Sequence, residues 1–194
     1  SLAANTKIDV TLVLDTTNSM ADEIKYLQAE LTQVLKDIAA AYPGASIRAG
    51  LVAYRDVDDL YVTKAFPFTE DLSRFNTDLA TLFAGGGGDS PEAMDRGMNG
   101  ALSLDWRADS TKVILLVADA PPHEYEVQDT WKAALKAREQ QIHILPVGAS
   151  GLGKRAEFIM RSMAALTHSR YIFLTDDSGV GNAHDEPSVD CYVV

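Results

Sequence analysis

Asp15, Thr17 and Ser19 fall at alternate positions in the run Asp15-Thr16-Thr17-Asn18-Ser19. Alternate residues of an extended or turning segment point the same way, so this run sets one carboxylate and two hydroxyls on a common side. With no nitrogen or sulfur among them, the three suit a hard divalent cation. Two other stretches carry oxygen chemistry. Asp119 follows the apolar run Val113–Val117, and Gly85-Gly86-Gly87-Gly88 leads into Asp89-Ser90-Pro91-Glu92. Taken alone, the first run reads equally well as a helix cap, with Asp15 or Ser19 accepting from a first turn.

The surrounding elements decide where these residues can meet. Ile8–Leu14 is a short β-branched run that reads as a buried strand, and Ala21–Tyr42 carries Ile24, Leu27, Leu31, Val34, Leu35 and Ile38 on one helical stripe. Pro43-Gly44 closes that helix. Ile47–Tyr54 is a second buried strand, Arg55–Asp59 an acidic, solvated turn, and Tyr61–Phe66 a short strand suited to an antiparallel edge. Pro67–Asp71 connects to a helix over Leu72–Phe83. Four consecutive glycines fit neither helix nor strand and allow close backbone approach. Pro91 then suits a first helical position, capped by Ser90 or Asp89, with the helix running through Leu102. Val113–Val117, Ile142–Val147 and Tyr171–Leu174 are strands, and Trp131–Gln141 and Lys154–Leu166 helices.

Alternating strands and helices predict an α/β fold, three-layered and Rossmann-like, with a mostly parallel central sheet, one antiparallel edge strand and helices on both faces. Ligands of such sheets lie beyond the strand carboxyl ends. Asp15 and Asp119 both end strands, and the glycine loop precedes a helix that starts at the same edge. Three oxygen-rich loops therefore converge.

The chain has 194 residues, 46% of them apolar and 23% charged, which suits a single folded domain over 1–194. With 28 acidic against 17 basic residues and a net charge of −11, no basic patch for nucleic acid is visible. No run approaches a membrane span. Cys191 stands alone, so no internal disulfide can form; it reads as a small buried hydrophobe or a reactive thiol.

These residues resemble the von Willebrand factor type A (vWA) domain with its metal-ion-dependent adhesion site. Asp15-Thr16-Thr17-Asn18-Ser19 matches the Asp-x-Ser/Thr-x-Ser motif, and Asp119 the aspartate after the fourth strand. The likeness runs from Asp9 to about Leu174. It implies a site for Mg²⁺ above all, or Mn²⁺ or Ca²⁺, with one position left for an acidic oxygen of a protein partner. Gly86–Glu92 is similar to the Asp-x-Pro-Glu loop of integrin beta-subunit domains, although Gly88 or Ser90 stands where many vWA domains have threonine. By that resemblance Glu92 joins Asp15, Thr17, Ser19 and Asp119 on the central ion, and Asp89, with Ser90 beside it, belongs to a second site. Asp22-Glu23 stand where integrin beta domains carry an acidic pair for a third cation; locally they read as a solvated first turn. Glu92 likewise reads, on its own, as a first-turn glutamate favoured by the helix dipole. Gly87 stands where integrin beta domains offer a side-chain ligand. The family's last helix is expected to be lacking or truncated here.

The expected function is a cation-dependent adhesion or complex-assembly module, not an enzyme, in an extracytoplasmic setting, with a cytoplasmic one open. The alternatives are a metal-stabilised scaffold within a larger protein and a metal-dependent, phosphatase-like hydrolase. For the last, Thr17 occupies the position where phosphoaspartate enzymes carry a second aspartate, and neither His123 nor His143 has an assignable nucleophile.

Overall fold

The computed structural model of the chain describes residues 6–88 and 92–174. Its elements run β1 (Lys7–Asp15), α1 (Ala21–Ala41), β2 (Ser46–Tyr54), β3 (Thr63–Thr69), α2 (Leu72–Ala80), α3 (Met94–Leu102), β4 (Thr111–Ala118), α4 (Val127–Glu139), β5 (Ile142–Gly148), α5 (Lys154–Leu166) and β6 (Ile172–Phe173). They form one sheet in the order β3-β2-β1-β4-β5-β6. Among these described strands only β3 runs antiparallel to its neighbour. The predicted α/β architecture is the observed one.

Alternation along the central strands divides the core between the two faces. Val13 points to one side, where it packs with Met98 of α3, Ala134 of α4 and Met160 of α5. Leu12 and Leu14 point to the other, against Ile24 and Leu27 of α1 and Phe75 and Leu79 of α2. Central parallel strands covered twice in this way must be apolar throughout. That is why Leu12-Val13-Leu14 reads as a continuous run.

The structure corrects several boundaries, each for a local reason. The helix expected from Pro91 begins at Met94, and Ala93 stands at its cap position without a side-chain bond. Glu92 N–H donates to Pro121 O at 3.0 Å, and Glu92 bridges Pro122 in a parallel pair, so this segment is held extended. Glu92 is therefore not a first-turn residue of α3, and the cap position expected at Asp89 or Ser90, which lie outside the described residues, falls at Ala93. Neither Asp15 nor Ser19 caps α1 or the short 3₁₀ turn Asn18–Met20 before it, which begins at Thr17 with no side-chain cap.

Pro67, expected in a connector, lies inside β3, where an outer strand tolerates the missing N–H. The register skips a residue there, Ala49 pairing Thr69 but Leu51 pairing Phe66. Helix α2 stops at Ala80, short of Phe83; its start is held by Asp71, whose carboxylate accepts from Ser73 N and Arg74 N. Helix α4 begins at Val127 and not Trp131, and Thr130 settles in its first turn by donating its hydroxyl to Glu126 O. Val34 lies on the predicted stripe of α1 yet is 48% exposed. Cys191 and the tail from residue 175 lie outside the described residues.

Candidate metal centre

Strand register brings the two aspartates together. Leu14 pairs with Val117 across β1 and β4, so Asp15 ends its strand level with Ala118 and Asp119 follows one residue on at the same edge. The extended segment at Glu92 pairs with the stretch just after Asp119 and adds a third carboxylate. The glycine loop is stitched across the first run by Gly85 N–H to Thr16 O at 3.1 Å and Asn18 N–H to Gly86 O at 3.3 Å. Thr16 N–H in turn reaches Tyr54 O at 2.9 Å. Arg55 is buried beneath this crossing, donating to Thr16 O and Phe83 O between the rings of Tyr61 and Phe83.

Gly87 has positive φ, and a Cβ there would lie 2.8 Å from both Glu92 Oε1 and Thr17 Cβ. A side chain at 87 would fill the space between the two oxygen-bearing loops. A Cβ on Gly86, also at positive φ, would collide with the Asp59 carboxylate. These two glycines are a steric requirement of the site.

Within the site, hydrogen-bond donors run short. Asp15 Oδ1 accepts from Thr17 N at 2.9 Å and Thr17 Oγ1 at 2.6 Å. Asp15 Oδ2, Glu92 Oε2 and Asp119 Oδ1 are buried with no hydrogen-bond partner among the described residues. Ser19, exposed to solvent, donates to Asp119. Burial, then the Asp119 charge, pushes the Asp15 pKa up to about 7 despite the Thr17 bonds. Burial, then Asp15, Asp56, Asp59 and Asp119, pushes Glu92 up to about 9. Asp119 is raised mainly by burial. Such bare, mutually repelling carboxylates are costly without a positive partner.

The residues present fit a divalent cation. Among the described residues no three His, Cys, Asp or Glu side chains form a metal-holding group by themselves. An ion here would therefore depend on the Thr17 and Ser19 hydroxyls and on water as well as on Asp15, Glu92 and Asp119.

Of the remaining expected residues, Glu23 lies close enough to Asp119 for its charge to help raise that carboxyl. Asp22 is half-buried and 3.8 Å from Lys25, whereas Glu23 is buried and accepts from Ser150 N at 3.1 Å. Glu23 thus departs from the solvated first turn expected of it, because it turns inward to the loop after β5. Asp89 and Ser90 lie outside the described residues. The acidic turn after β2 is likewise not simply solvated. Asp59 Oδ2 accepts from Gly87 N at 2.9 Å, and Asp56 Oδ1 lies 2.6 Å from His123 Nε2. The sequence does hold a signal for Asp59, since β2 neighbours β1 and its carboxyl end must open on the same edge. His143, in β5, is bonded to Thr167 O at the far end of the sheet.

Residues 9–184 match the family model described as von Willebrand factor A domain. The chain belongs to the von Willebrand factor A domain family. Two curated relatives are alpha-protein kinase vwkA of Dictyostelium discoideum, 28% identical over 127 residues (65% of this chain, 20% of that protein), and the putative ariadne-like RING finger protein R811 of Acanthamoeba polyphaga mimivirus, 28% identical over 116 residues (60% and 11%). The chain thus spans a fifth or less of these relatives. Solved structures share the fold of this vWA domain at low identity. The pilus adhesin SpaC of Lactobacillus rhamnosus GG in its open conformation has TM-score 0.65, 13% identity, and coverage of 87% of this chain and 28% of that one. An aerotolerance-related membrane protein of Bacteroides fragilis NCTC 9343 gives 0.61 and 14%, covering 90% and 94%. Proximal thread matrix protein 1 of the mussel byssus gives 0.63 and 14%, covering 91% and 44%.

Proposed function

We propose that this vWA domain is a divalent-cation-dependent protein-binding module. Asp15, Thr17, Ser19, Asp119 and Glu92 would hold the ion, Mg²⁺ foremost, with Mn²⁺ or Ca²⁺ as substitutes. The observation that carries this reading is the trio of buried carboxylate oxygens, on Asp15, Glu92 and Asp119, with no donor among the described residues. When bound, the ion supplies an electrophilic position for a carboxylate of a protein partner. Thr17 and Ser19 bring neutral oxygens, which leave more of the ion's charge for an incoming anion. Ser19 and Asn18 are exposed, so a partner approaches from that side.

The likeness of Gly86–Glu92 to the integrin beta loop supports giving Glu92 to the central ion. The reading assigns no catalytic step, because the Thr17 hydroxyl is committed to Asp15 and the His123 ring to Asp56. The loops also close on backbone hydrogen bonds of their own, which favours recognition over a purely structural ion. Among the described residues no helix is long and apolar enough to cross a membrane. A pilus adhesin and a membrane protein among the neighbours favour an extracytoplasmic setting, and the reading of the site holds in either compartment.

Calorimetric titration of Mg²⁺, Mn²⁺ and Ca²⁺ into EDTA-stripped wild type and Asp15→Ala tests the ion. Saturable binding by wild type alone is expected, and equal behaviour of the two proteins would sink the assignment. Peptides selected from a display library on the Mg²⁺-loaded domain test the partner chemistry. Their binding must vanish in EDTA and when their single Asp or Glu is changed to the amide.

A further inference from the structure

A cavity of about 510 Å³ opens at the opposite edge of the sheet, where β4 and β5 begin and α4 and α5 end. Lys112, Arg138, His143 and His168 line it with Gln141 and Thr167, and among the described residues no Asp or Glu does. In a chain of net charge −11 that is a marked local reversal. Lys112 is only 7% exposed, yet its ammonium donates solely to carbonyls among the described residues, Ala108 O at 3.2 Å and Ser110 O at 3.4 Å. A buried ammonium without a carboxylate is costly unless an anion reaches it.

The backbone is bent to present this lining. Gln141 and His168 are the two non-glycine residues with positive φ among the described residues, at 58° and 56°, and both face the cavity. Each follows a helix, a place where glycine is usual. Glycine would relieve the backbone but remove the side chain from the wall. His143 Nδ1 lies 2.8 Å from Thr167 O. A carbonyl only accepts, so that nitrogen carries the hydrogen and the ring orientation is fixed.

One effect opposes an anion here, because the carboxyl ends of α4 and α5 each carry about half a negative charge. Lys112 and Arg138 bring two full positive charges, which leaves roughly one in excess. We propose that this cavity binds an oxyanion of the phosphate class. The Arg138 guanidinium offers a planar fork and Lys112 a point charge, a pairing that matches several oxygens around one phosphorus better than a single carboxylate. The site lies at the other edge of the sheet from the metal centre and does not depend on the reading of that centre.

The test is calorimetric titration of the EDTA-treated wild-type domain with pyrophosphate at constant ionic strength, so that no ion at Asp15 can recruit the probe. Saturable binding is expected, with acetate at least about tenfold weaker. Arg138→Ala should weaken pyrophosphate about tenfold by removing a charge-assisted donor. His168→Gly should weaken it severalfold while the melting temperature holds or rises, because glycine accepts the left-handed backbone. Glycerol phosphate and a phosphoserine tripeptide, compared at equal charge, separate the two sources of this chemistry, and the tighter binder names the source. No saturable binding of any phosphate probe, acetate binding as tightly, or affinity unchanged in both variants would overturn the proposal.

Discussion

Asp9 and Asp15 lie on the same strand, β1, and both are fully buried, yet their surroundings are opposite. Asp9 receives Arg48 Nε at 3.0 Å and Nη2 at 2.8 Å, Arg107 N and Nε at 2.9 Å each, and Ser110 Oγ at 3.0 Å. Burial pushes its pKa up, but the Arg48, Arg107 and Ser110 hydrogen bonds outweigh it and hold the carboxyl at about 2. Among the described residues Asp15 has Thr17 alone for a donor, with Asp119 and Glu92 as electrostatic neighbours, and it sits at about 7. One buried aspartate is satisfied by the protein and locks the start of the sheet. The other is left short at its end, the pattern expected where stability is given up for binding.

The sharpest way to break this contrast is to remove each carboxylate in turn. Asp9→Ala leaves two guanidinium groups without their shared counter-ion and should cost about 3–5 kcal/mol in urea denaturation. Asp15→Ala should cost far less in EDTA, since it removes an under-satisfied charge as well as two hydrogen bonds. If the two losses are equal, Asp15 is structural after all. Saturating Mg²⁺ sharpens the comparison from the other side. At a hundredfold excess over Kd it should stabilise wild type by about 2.7 kcal/mol and leave Asp15→Ala unmoved. Asp9→Asn, if it folds, should respond to Mg²⁺ like wild type.

Acid acts on Asp9 through a defined window. Its folded pKa of about 2 is below the unfolded value, so between about pH 4 and pH 2 the unfolded chain binds the extra proton. Stability from this group is therefore complete above about pH 4 and is lost as pH falls through 2, about 2 kcal/mol in all. Chemical denaturation of wild type and Asp9→Asn at pH 5 and pH 2.5 measures it. An equal drop in both proteins would assign the acid sensitivity to other carboxylates.

The strands, the sheet class and the meeting of Asp15 with Asp119 were legible because they depend on local pattern and one topological rule. Val113–Val117 can only be a doubly covered strand, and residues that follow such strands meet at one edge. Asp9 was not legible. A lone aspartate in the pattern Ile8-Asp9-Val10 gives no hint that Arg48 and Arg107, 39 and 98 residues away, converge on it. The extended backbone at Glu92 was hidden for a similar reason. Its cause is Pro121 O, across the sheet edge, and Pro-Glu read locally favours a helix start. Asp59 has a topological signal, at the carboxyl end of β2, but an acidic turn read locally is solvated, and the bond from Gly87 N shows that this one braces the glycine loop.

The smallest predicted effect tests the central premise that the site is short of donors. Tyr54 is fully buried, and its hydroxyl has no partner among the described residues, although the charges of Asp15, Asp119 and Glu92 lie close. Burial first, then those three charges, raises its pKa well above the usual phenol value, so it stays protonated and is able to donate. If that hydroxyl were bonded to one of the carboxylates, it would relieve the shortage, and the case for a cation would weaken. Tyr54→Phe keeps the ring against α3 and deletes only the oxygen. In EDTA it should gain about 1 kcal/mol, the cost of an unsatisfied buried group. Mg²⁺ affinity should stay unchanged. A loss of stability in EDTA, reversed by Mg²⁺, would instead make the Tyr54 hydroxyl the missing donor and Asp15 a partnered residue much like Asp9.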